Sequence, residues 1–304
     1  MNKEGLVSII IPTYNRAHIL PRAIESVLNQ TYQNTELIIV DDCSSDNTQE
    51  VANNYCNKDK RVSYIRNKEN LGQSFSRNEG IGYSRGAFLM FLDDDCEYLP
   101  EKVEEEITLM SSLSPQPAII YSNMWSEKIG SQALCPLNKK GKYIFKDDIL
   151  NCKYYILGPP SWFCKREIIK RINGFDVNFY KYVDLDLLMR VIFTGECLYF
   201  HNKPLAIVHF VPGISERTHK NLFYRELLLE KHFSKIKKYK RFLSYLYWRI
   251  AKDSFHLGDS KKARDYCWKA FISSPLKVEY LFKTILFSFK KLKRNSLVKN
   301  REER

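Results

Sequence analysis

Short apolar runs alternate with segments of helical periodicity over the first hundred residues. The strand-like runs are residues 7–11, 36–40, 61–66 and 88–92. The helix-like segments that follow the first three runs are residues 17–29, 44–55 and 73–84. Near-continuous apolar runs of this length are typical of strands buried on both faces of a parallel sheet. The alternation, with its short connections, therefore predicts a mostly parallel sheet joined by right-handed crossover helices.

The pattern becomes less regular after residue 100. It predicts helices at 100–110, 165–172 and 183–194, and strands at 118–122, 197–200 and 206–210. Residues 123–157 are polar and irregular, and residues 158–164 predict a stiff aromatic loop or strand. Residues 216–304 carry helical apolar spacing, which is clearest at 223–233 and 242–251, and predict an all-helical region.

Polar segments follow three of the predicted strands at their carboxyl ends. They are Thr13-Tyr14-Asn15, Asp41-Asp42 and Asp93-Asp94-Asp95. The carboxyl ends of parallel strands meet at one edge of the sheet, where open α/β sheets bind ligands. Three adjacent carboxylates repel one another, and a Mg²⁺ or Mn²⁺ ion with oxygen ligands would relieve that repulsion. A solvated acidic turn is the alternative interpretation. The chain has no GxGxxG or GxxxxGK[ST] sequence, which disfavours a dinucleotide-binding fold and a P-loop.

Five motifs occur in order before residue 101. They are SIIIPTYNR at 8–16, SVLNQTY at 26–32, ELIIVDDCSSDNT at 36–48, ENLG with SRNEGI within 69–81, and DDD followed by Leu-Pro within 93–100. Together they resemble the family 2 glycosyltransferases of the GT-A fold, and the resemblance covers about the first 215 residues. It implies a GT-A domain at 1–215, with a nucleotide-binding half at 1–100 and an acceptor half at 101–215. A helical, basic region at 216–304 would follow this domain.

The resemblance implies that the loops at the sheet edge hold a nucleotide-diphosphate sugar. Asp42 would accept a hydrogen bond from an imide N–H of uracil, and Asp94 would hold the ribose hydroxyls. The predicted nucleotide-sugar-binding residues are Thr13, Tyr14, Asn15, Arg16, Asp42, Arg77 and Asp94.

Asp95 stands in the place of the cation ligand in the DxD element of the family, with Asp93 beside it. A Mg²⁺ or Mn²⁺ ion bound there would offset the charge that develops on the leaving diphosphate. Arg77 would add positive charge near the phosphates. The other interpretation of Arg77 is a helix residue at the protein surface.

Sugar transfer with inversion needs a base that takes the proton from the acceptor hydroxyl. In the resembled family this base is a carboxylate near the start of a helix, in an acidic pair followed two residues later by a second Asp. The matching segment here has Val183 in the first acidic position, so the pair is broken. Asp184 keeps the place of the base and is the predicted catalytic residue, with a helix N-cap as the other interpretation. Asp186 is the second candidate for the base.

Two further features bear on the site. His209 precedes a Pro-Gly turn, and it is either a third metal ligand or a buried structural histidine, with the structural role favoured. Trp162 and Phe163 lie in the aromatic stretch, where they either stack on an acceptor sugar or belong to the core.

Positive charge is concentrated in the C-terminal third of the chain. The net charge is +13, yet residues 216–304 hold 24 of the 48 Lys and Arg and 9 of the 35 Asp and Glu. Such a region favours an anionic partner, and an anionic membrane surface is the candidate, while no nucleic acid is expected. Residues 280–294 are apolar and then strongly basic, which fits either a membrane interface or a helix packed on the enzyme.

The sequence carries few signs of export or membrane insertion. We expect no signal peptide, and no apolar run reaches the roughly 20 residues of a membrane-spanning helix. The eight cysteines are scattered and predict reduced thiols. A cytoplasmic protein is therefore predicted, with peripheral attachment to the inner face of the cell membrane as an open alternative.

The leading hypothesis is an inverting, metal-dependent glycosyltransferase of cell-surface polysaccharide synthesis. The predicted donor is a UDP-sugar, and the acceptor is a hydroxyl of a glycan or of a lipid-linked molecule. A nucleotidyltransferase on a related sheet is the first rival, but its triphosphate would need a glycine-rich first loop. The second rival is a non-catalytic basic protein that binds membrane or nucleic acid, which would leave the carboxylates without a role.

Overall fold

The computed structural model describes residues 5–127, 132–134, 141–151, 157–209 and 219–275. The chain splits into two compact units. The first comprises residues 1–146 and 155–214, and the second comprises residues 147–154 and 215–304. The second unit is therefore assembled from two separate stretches of the chain.

The first unit is built on a mixed ten-stranded sheet. Its strands are β1 (Val7–Thr13), β2 (Thr35–Asp41), β3 (Val62–Arg66), β4 (Phe88–Phe91), β5 (Cys96–Tyr98), β6 (Ile119–Ser126), β7 (Gln132–Ala133), β8 (Lys142–Ile144), β9 (Trp162–Lys165) and β10 (Leu198–Val208). The strand order is β3-β2-β1-β4-β9-β6-β10-β5, with β7 paired to β6 and β8 paired to β10.

Ten helices accompany these strands in the described residues. They are α1 (Leu20–Leu28), α2 (Thr48–Lys58), α3 (Gln73–Tyr83), α4 (Lys102–Ser112), α5 (Lys146–Leu150), α6 (Arg166–Arg171), α7 (Val183–Ile192), α8 (His219–Ile236), α9 (Lys240–His256) and α10 (Ser260–Ser273). A single 3₁₀ turn, Pro159–Ser161, precedes β9.

The first four strands and their parallel pairing are confirmed. β1 pairs in parallel with both β2 and β4, and β2 pairs in parallel with β3. Every residue of β2 is buried, and so is every residue of β1 except Pro12. Burial on both faces explains why these strands read as uninterrupted apolar runs in the sequence. The helices between them place β1 at the centre of this half of the sheet.

The later part of the chain differs from the prediction in three respects. Residues 123–157, which were predicted to be irregular, contain the end of β6, the short strands β7 and β8, and helix α5. β5 was not predicted, because three residues are too few to establish a periodicity. The two strands expected at 197–200 and 206–210 are one strand, β10, whose pairing with β6 shifts register on both sides of Pro204. Proline has no N–H to donate to the ladder, so a single strand with an irregularity at this position resembles two separate runs.

A fully buried ion pair anchors the turn before β9. The ammonium of Lys102 donates to Glu106 Oε1 at 2.9 Å and to Ser122 Oγ at 2.8 Å, and its Nζ lies 3.4 Å from Ser161 O. Both charged side chains are 0% exposed. Burial lowers the pKa of Lys102 and raises the pKa of Glu106, so each needs the other to remain charged.

The predicted helical character of the C-terminal region is confirmed for residues 219–275. Helices α9 and α10 pack through the small side chains of Ala251, Ala263, Cys267 and Ala270. Arg225 and Asp253 form a buried ion pair of 3.0 Å between α8 and α9. The predicted interfacial segment at 280–294 lies outside the described residues.

The helices and the cysteines of the described part of the chain bear on membrane insertion and on disulfide bonding. None of its helices combines the length and hydropathy that crossing a membrane requires. The six cysteines in the described residues are free thiols.

Two glycines of α3 give opposite predictions for stability. A Cβ on buried Gly80 would lie 2.5 Å from Cγ2 of Ile10 in β1, whereas a Cβ on Gly82 would meet nothing within 4 Å. We expect Gly80→Ala to lower the free energy of unfolding by about 1–3 kcal/mol through overpacking. We expect Gly82→Ala to raise it by up to about 1 kcal/mol, because alanine is the better helix former. Urea unfolding of both variants measures the difference, and equal effects would contradict the packing of α3 on β1.

Candidate active site

The carboxyl ends of β1, β2 and β4 meet at one edge of the sheet. Thr13 and Asp41 are register partners at the ends of β1 and β2, and Asp42 N donates to Thr13 O at 2.9 Å. Leu92, just beyond β4, donates its N–H to Ile10 O at 3.0 Å. The loops that leave these strands therefore begin side by side.

An open cleft of about 470 Å³ lies at this edge. It brings together eight of the ten predicted site residues, namely Thr13, Tyr14, Arg16, Asp42, Arg77, Asp93, Asp94 and Asp95. Seven further residues of its lining were not predicted as site residues, namely Pro12, Asn70, Gly72, Gln73, Ser76, Tyr180 and Lys181. Pro12 belongs to the motif at 8–16 and four others belong to the motif segment 69–81, which was a usable signal. Tyr180 and Lys181 are distant in sequence and carried no local signal.

Asn15 is the one predicted nucleotide-binding residue that does not line the cleft. Its Oδ1 accepts hydrogen bonds from Ser45 N at 2.7 Å and Ser45 Oγ at 3.3 Å, and its own N donates to Ser44 Oγ at 2.8 Å. Its φ of 53° lies in the left-handed region, which asparagine tolerates better than most residues. Asn15 therefore ties the loop after β1 to the loop after β2.

Asp42 is held rigidly at the wall of the cleft. Its Oδ1 accepts hydrogen bonds from Asn67 Nδ2 at 2.8 Å and Leu71 N at 3.0 Å, and its Oδ2 accepts one from Gly72 N at 2.7 Å. Two carboxylate oxygens have about four acceptor positions, so one position remains for a ligand N–H. Neighbouring Asp41 is fully buried, and its carboxylate accepts hydrogen bonds from Ser44 N and Tyr64 Oη.

Asp94 lies between two donors, one at the end of β1 and one in the loop that follows it. Thr13 Oγ1 donates to its Oδ2 at 2.9 Å, and Arg16 Nη1 donates to its Oδ1 at 3.0 Å. Burial raises the pKa of Asp94 to about 7 although Arg16 and Thr13 oppose the shift, and the charges of Asp95 and Asp93 raise it slightly further. The carboxyl is thus poised to change its protonation near neutral pH.

Asp93, Asp95 and Cys96 form a cluster that can be tested for a metal ion. One ligand atom of each lies within 4.8 Å of the others. Burial, followed by the charge of Asp93, raises the pKa of Asp95. Burial also raises the pKa of the Cys96 thiol well above its usual value, and its Sγ lies 3.3 Å from Asp95 Oδ1. The two carboxylates fit Mg²⁺ or Mn²⁺, which prefer oxygen ligands, while the protonated thiol does not.

His209 lies next to this cluster through its backbone. Its N–H donates to Asp95 O at 3.0 Å. Its ring lies between other carboxylates, with Nε2 at 3.3 Å from Glu97 Oε2 and Nδ1 at 2.7 Å from Glu127 Oε1. This position favours the structural interpretation of His209 over a third metal ligand.

Arg77 is buried, so the interpretation of this residue as a surface position is wrong. Only 2% of its side chain is exposed. Its Nη2 donates to Asp93 Oδ1 at 2.6 Å, its Nη1 donates to Gln73 Oε1 at 3.0 Å, and its guanidinium lies 5.2 Å from the ring centroid of Phe175. The guanidinium is a fixed positive charge in the wall of the cleft.

Asp184 is the second residue of α7, and the N-cap position belongs to Tyr182, whose φ is 60°. The N-cap interpretation of Asp184 is therefore wrong. Its Oδ1 accepts a hydrogen bond from Leu185 N at 2.8 Å. Burial raises the pKa of Asp184, while the charge of Arg77 lowers it and the charge of Asp93 raises it. These couplings connect the carboxylate electrostatically to two cleft residues.

The surroundings of Asp184 separate it from Asp186. A Cβ on Gly158 would lie 3.8 Å from Asp184 Oδ2, so the turn anchored by Lys102 runs beside the carboxylate. Asp186 is fully buried, and its Oδ2 accepts a hydrogen bond from Arg190 Nε at 2.8 Å. This ion pair within α7 gives Asp186 a structural position, so Asp186 is not a suitable base.

Trp162 and Phe163 are core residues, so of the two interpretations the core one is confirmed and stacking on an acceptor sugar is wrong. Both side chains are 0% exposed. Trp162 Nε1 donates to Leu157 O at 2.7 Å, and the Phe163 ring stacks on Phe88 with centroids 4.8 Å apart.

The fold and the site can now be compared with known proteins. S. aureus TarS 1–349 in complex with UDP-GlcNAc aligns over 87% of this chain and 81% of its own, with a TM-score of 0.68 and 15% identity. Mannosyltransferase PcManGT from Pyrobaculum calidifontis, in complex with GDP-Man and Mn²⁺, aligns over 94% of this chain and 85% of its own, with a TM-score of 0.60 and 14% identity. These likenesses confirm the GT-A fold.

Sequence relatives are also glycosyltransferases by name. An uncharacterized glycosyltransferase of Methanocaldococcus jannaschii is 29% identical over 92% of this chain and 89% of its own length. The GalNAc(5)-diNAcBac-PP-undecaprenol beta-1,3-glucosyltransferase of Campylobacter jejuni is 34% identical over 50% of this chain and 47% of its own. An uncharacterized glycosyltransferase of Rickettsia felis is 40% identical over 45% of this chain, which spans 21% of that protein.

The family profile described as Glycosyl transferase family 2 matches residues 8–172. The matched range is more than half of the 304-residue chain, and it contains the loops after β1, β2 and β4 that form the cleft. With the GT-A fold and the carboxylate cleft in place, the chain belongs to glycosyl transferase family 2.

Proposed function

We propose that the cleft binds a UDP-sugar with a divalent cation, and that Asp184 deprotonates an acceptor hydroxyl for transfer of the sugar with inversion. The observation that carries this proposal is the cleft itself, which brings Asp42, Arg77 and the carboxylates of residues 93–95 together at one edge of the sheet. A base must lie near the anomeric carbon of the donor, and Asp184 is the carboxylate at the start of α7, beside the turn that contains Gly158.

Each protein group has a defined task in this reaction. The free acceptor position of Asp42 suits the imide N–H of uracil, and Asp94 suits the ribose hydroxyls. When bound, a Mg²⁺ or Mn²⁺ ion held by Asp93 and Asp95 would neutralise charge on the leaving diphosphate. Arg77, buried and paired with Asp93, fixes a further positive charge beside that position.

The bond changes balance without another reactant. The acceptor oxygen attacks the anomeric carbon, and its proton passes to the carboxylate of Asp184. The bond between that carbon and the diphosphate oxygen breaks on the opposite face, and the electron pair leaves with the diphosphate. One bond to the anomeric carbon thus replaces another with inverted configuration.

The comparisons support the donor and acceptor classes. The TarS structure contains UDP-GlcNAc, and the name of the Campylobacter jejuni relative describes a lipid-linked substrate. We therefore propose a hydroxyl of a growing glycan or lipid-linked molecule as the acceptor, in cell-surface polysaccharide synthesis. The family match favours this function over a nucleotidyltransferase, and the cleft favours it over a non-catalytic binding protein.

A lipid-linked acceptor would place the enzyme at the inner face of the cell membrane. The turn between α8 and α9 and the adjoining helix ends carry five exposed basic residues, namely Lys235, Lys237, Lys238, Lys240 and Arg241. Phe233 beside them is 42% exposed. Basic side chains with an exposed aromatic ring favour an anionic lipid surface.

Asp184→Asn tests the base. We expect kcat to fall by roughly 10²–10⁴-fold, because the amide cannot take the acceptor proton. We expect UDP binding and thermal stability to stay near those of the wild type. Asp186→Asn is the matched control on the same helix, where we expect a lower melting temperature from the weakened Arg190 pair. Full activity of Asp184→Asn would contradict the proposal.

The pH dependence of turnover gives a second test of Asp184. The base acts only when it is deprotonated, and burial raises its pKa above the value of 3.8 for an ordinary Asp. We expect kcat/KM to fall with decreasing pH through this raised pKa, and therefore at a higher pH than an exposed aspartate would cause. A profile without an acidic limb above pH 3.8 would argue against Asp184.

Calorimetric titration of UDP with and without Mn²⁺ tests the metal and nucleotide assignments together. We expect Mn²⁺ to strengthen UDP binding to the wild type, and we expect this gain to be lost in Asp95→Ala because a cation ligand is removed. An absence of UDP binding in both conditions would overturn the UDP assignment. Equal binding with and without Mn²⁺ would overturn the metal assignment alone.

Sedimentation with vesicles tests the membrane assignment. We expect Lys237→Glu/Lys238→Glu to reduce binding to phosphatidylglycerol vesicles by at least about tenfold, since each basic residue near an anionic surface contributes about 1 kcal/mol. Lys58→Glu/Lys60→Glu makes the same charge change at exposed positions of the first unit and serves as the control. Equal loss in both variants would indicate net charge alone.

A further inference from the structure

Arg16 extends from the loop after β1 into the carboxylate cluster. Its Nη1 lies 3.0 Å from Asp94 Oδ1 and 3.6 Å from Asp95 Oδ2. The backbone of Arg16 is fixed, because its O accepts hydrogen bonds from Ile19 N and Leu20 N at 3.1 Å each. A single guanidinium nitrogen therefore contacts the ribose-binding candidate and the metal-binding candidate together.

Two arginines pair with different carboxylates of the segment Asp93-Asp94-Asp95. Arg77 pairs with Asp93 at 2.6 Å and is 2% exposed, held by Gln73 and the ring of Phe175. Arg16 serves Asp94 and Asp95, and 26% of its side chain is exposed. The buried arginine is a permanent part of the wall, whereas the partly exposed one has open cleft beside it.

Arg16 and a divalent cation held by Asp95 would lie beside the same carboxylate. A Mg²⁺ or Mn²⁺ ion would lie about 2.1 Å from a carboxylate oxygen of Asp95. A guanidinium nitrogen 3.6 Å from that carboxylate would then lie within a few ångströms of a doubly charged ion, and the two cations would repel each other strongly. Arg16 is therefore disfavoured at Asp95 when the ion is bound there, and the ion binds less tightly while Arg16 stays in contact with Asp95.

We propose that Arg16 is a displaceable counter-ion, which neutralises Asp94 and Asp95 before the cation binds and turns from Asp95 to the donor diphosphate when it does. This inference rests on the metal site of the proposed function. Its consequence is positive coupling between cation and nucleotide. A cation that binds alone must displace the guanidinium of Arg16 from Asp95. When a diphosphate binds together with the cation, the displaced guanidinium can pair with the diphosphate instead.

Removal of the Arg16 charge should strengthen Mn²⁺ binding in the absence of nucleotide. We expect Arg16→Met to bind Mn²⁺ about tenfold more tightly than the wild type, because a competing charge is gone. We expect Arg16→Lys, which keeps the charge, to remain within about threefold of the wild type. In the presence of Mn²⁺, we expect Arg16→Met to bind UDP about tenfold more weakly, because the diphosphate loses a charged partner.

Electron paramagnetic resonance of free Mn²⁺ during a titration of the full chain measures this affinity directly. Arg61→Met is the matched control, since Arg61 has the same 26% side-chain exposure and pairs with Asp59 at 2.7 Å, away from the cleft lining. We expect Arg61→Met to bind Mn²⁺ like the wild type. Circular dichroism melting of each variant verifies that it is folded.

The outcomes separate this inference from the function on which it rests. If the wild type binds Mn²⁺ through Asp95, as shown by loss in Asp95→Asn, and Arg16→Met binds equally or more weakly, Arg16 is not a competing counter-ion. If Asp95→Asn binds Mn²⁺ like the wild type, or no variant binds it, the metal site itself is wrong and this inference fails with it. Tighter Mn²⁺ binding in both Arg16→Met and Arg61→Met would show that the lower net positive charge of each variant causes the gain, and it would also overturn the inference.

Discussion

The three carboxylates after β4 repel one another, and the stability of the cleft depends on neighbouring groups that offset this repulsion. The groups that compensate these charges come from different elements. Arg77 of α3 pairs with Asp93, Thr13 at the end of β1 donates to Asp94, and Arg16 from the loop after β1 lies beside both Asp94 and Asp95. Because these groups meet only when the parallel strands pair in register, the chemistry of the cleft depends on the order of the sheet.

The same constraint explains why rigid and adjustable groups lie side by side. Asp42 and Arg77 are held by several hydrogen bonds each and define fixed walls. Asp94, with a pKa of about 7, and the partly exposed Arg16 are groups whose state can respond to a ligand. A preorganised frame with a few responsive charges suits a reaction in which negative charge develops on the leaving group.

The sequence predicted those features that local patterns encode. Continuous apolar runs identified β1 to β4, and the rule that the carboxyl ends of parallel strands share an edge predicted that Thr13, Asp42 and Asp94 lie together. What it could not provide depends on tertiary contacts. The burial of Arg77 depends on Phe175, nearly a hundred residues later, and the position of Tyr180 in the cleft depends on its contact with Gly72. The two interpretations of Trp162 could not be separated from sequence, because an aromatic ring carries the same local signal in a core, where Trp162 lies, as on a binding surface.

The composition of the second unit from residues 147–154 and 215–304 has a consequence for synthesis on the ribosome. The short stretch leaves the ribosome about sixty residues before the helices with which it groups. The hydrogen bond from Tyr239 Oη to Asp147 Oδ1, 3.0 Å long, joins the two stretches and can form only after those helices have been made. A chain cut after residue 214 would keep the early stretch without its later partners, so shortening the protein at that point would not release the first unit alone.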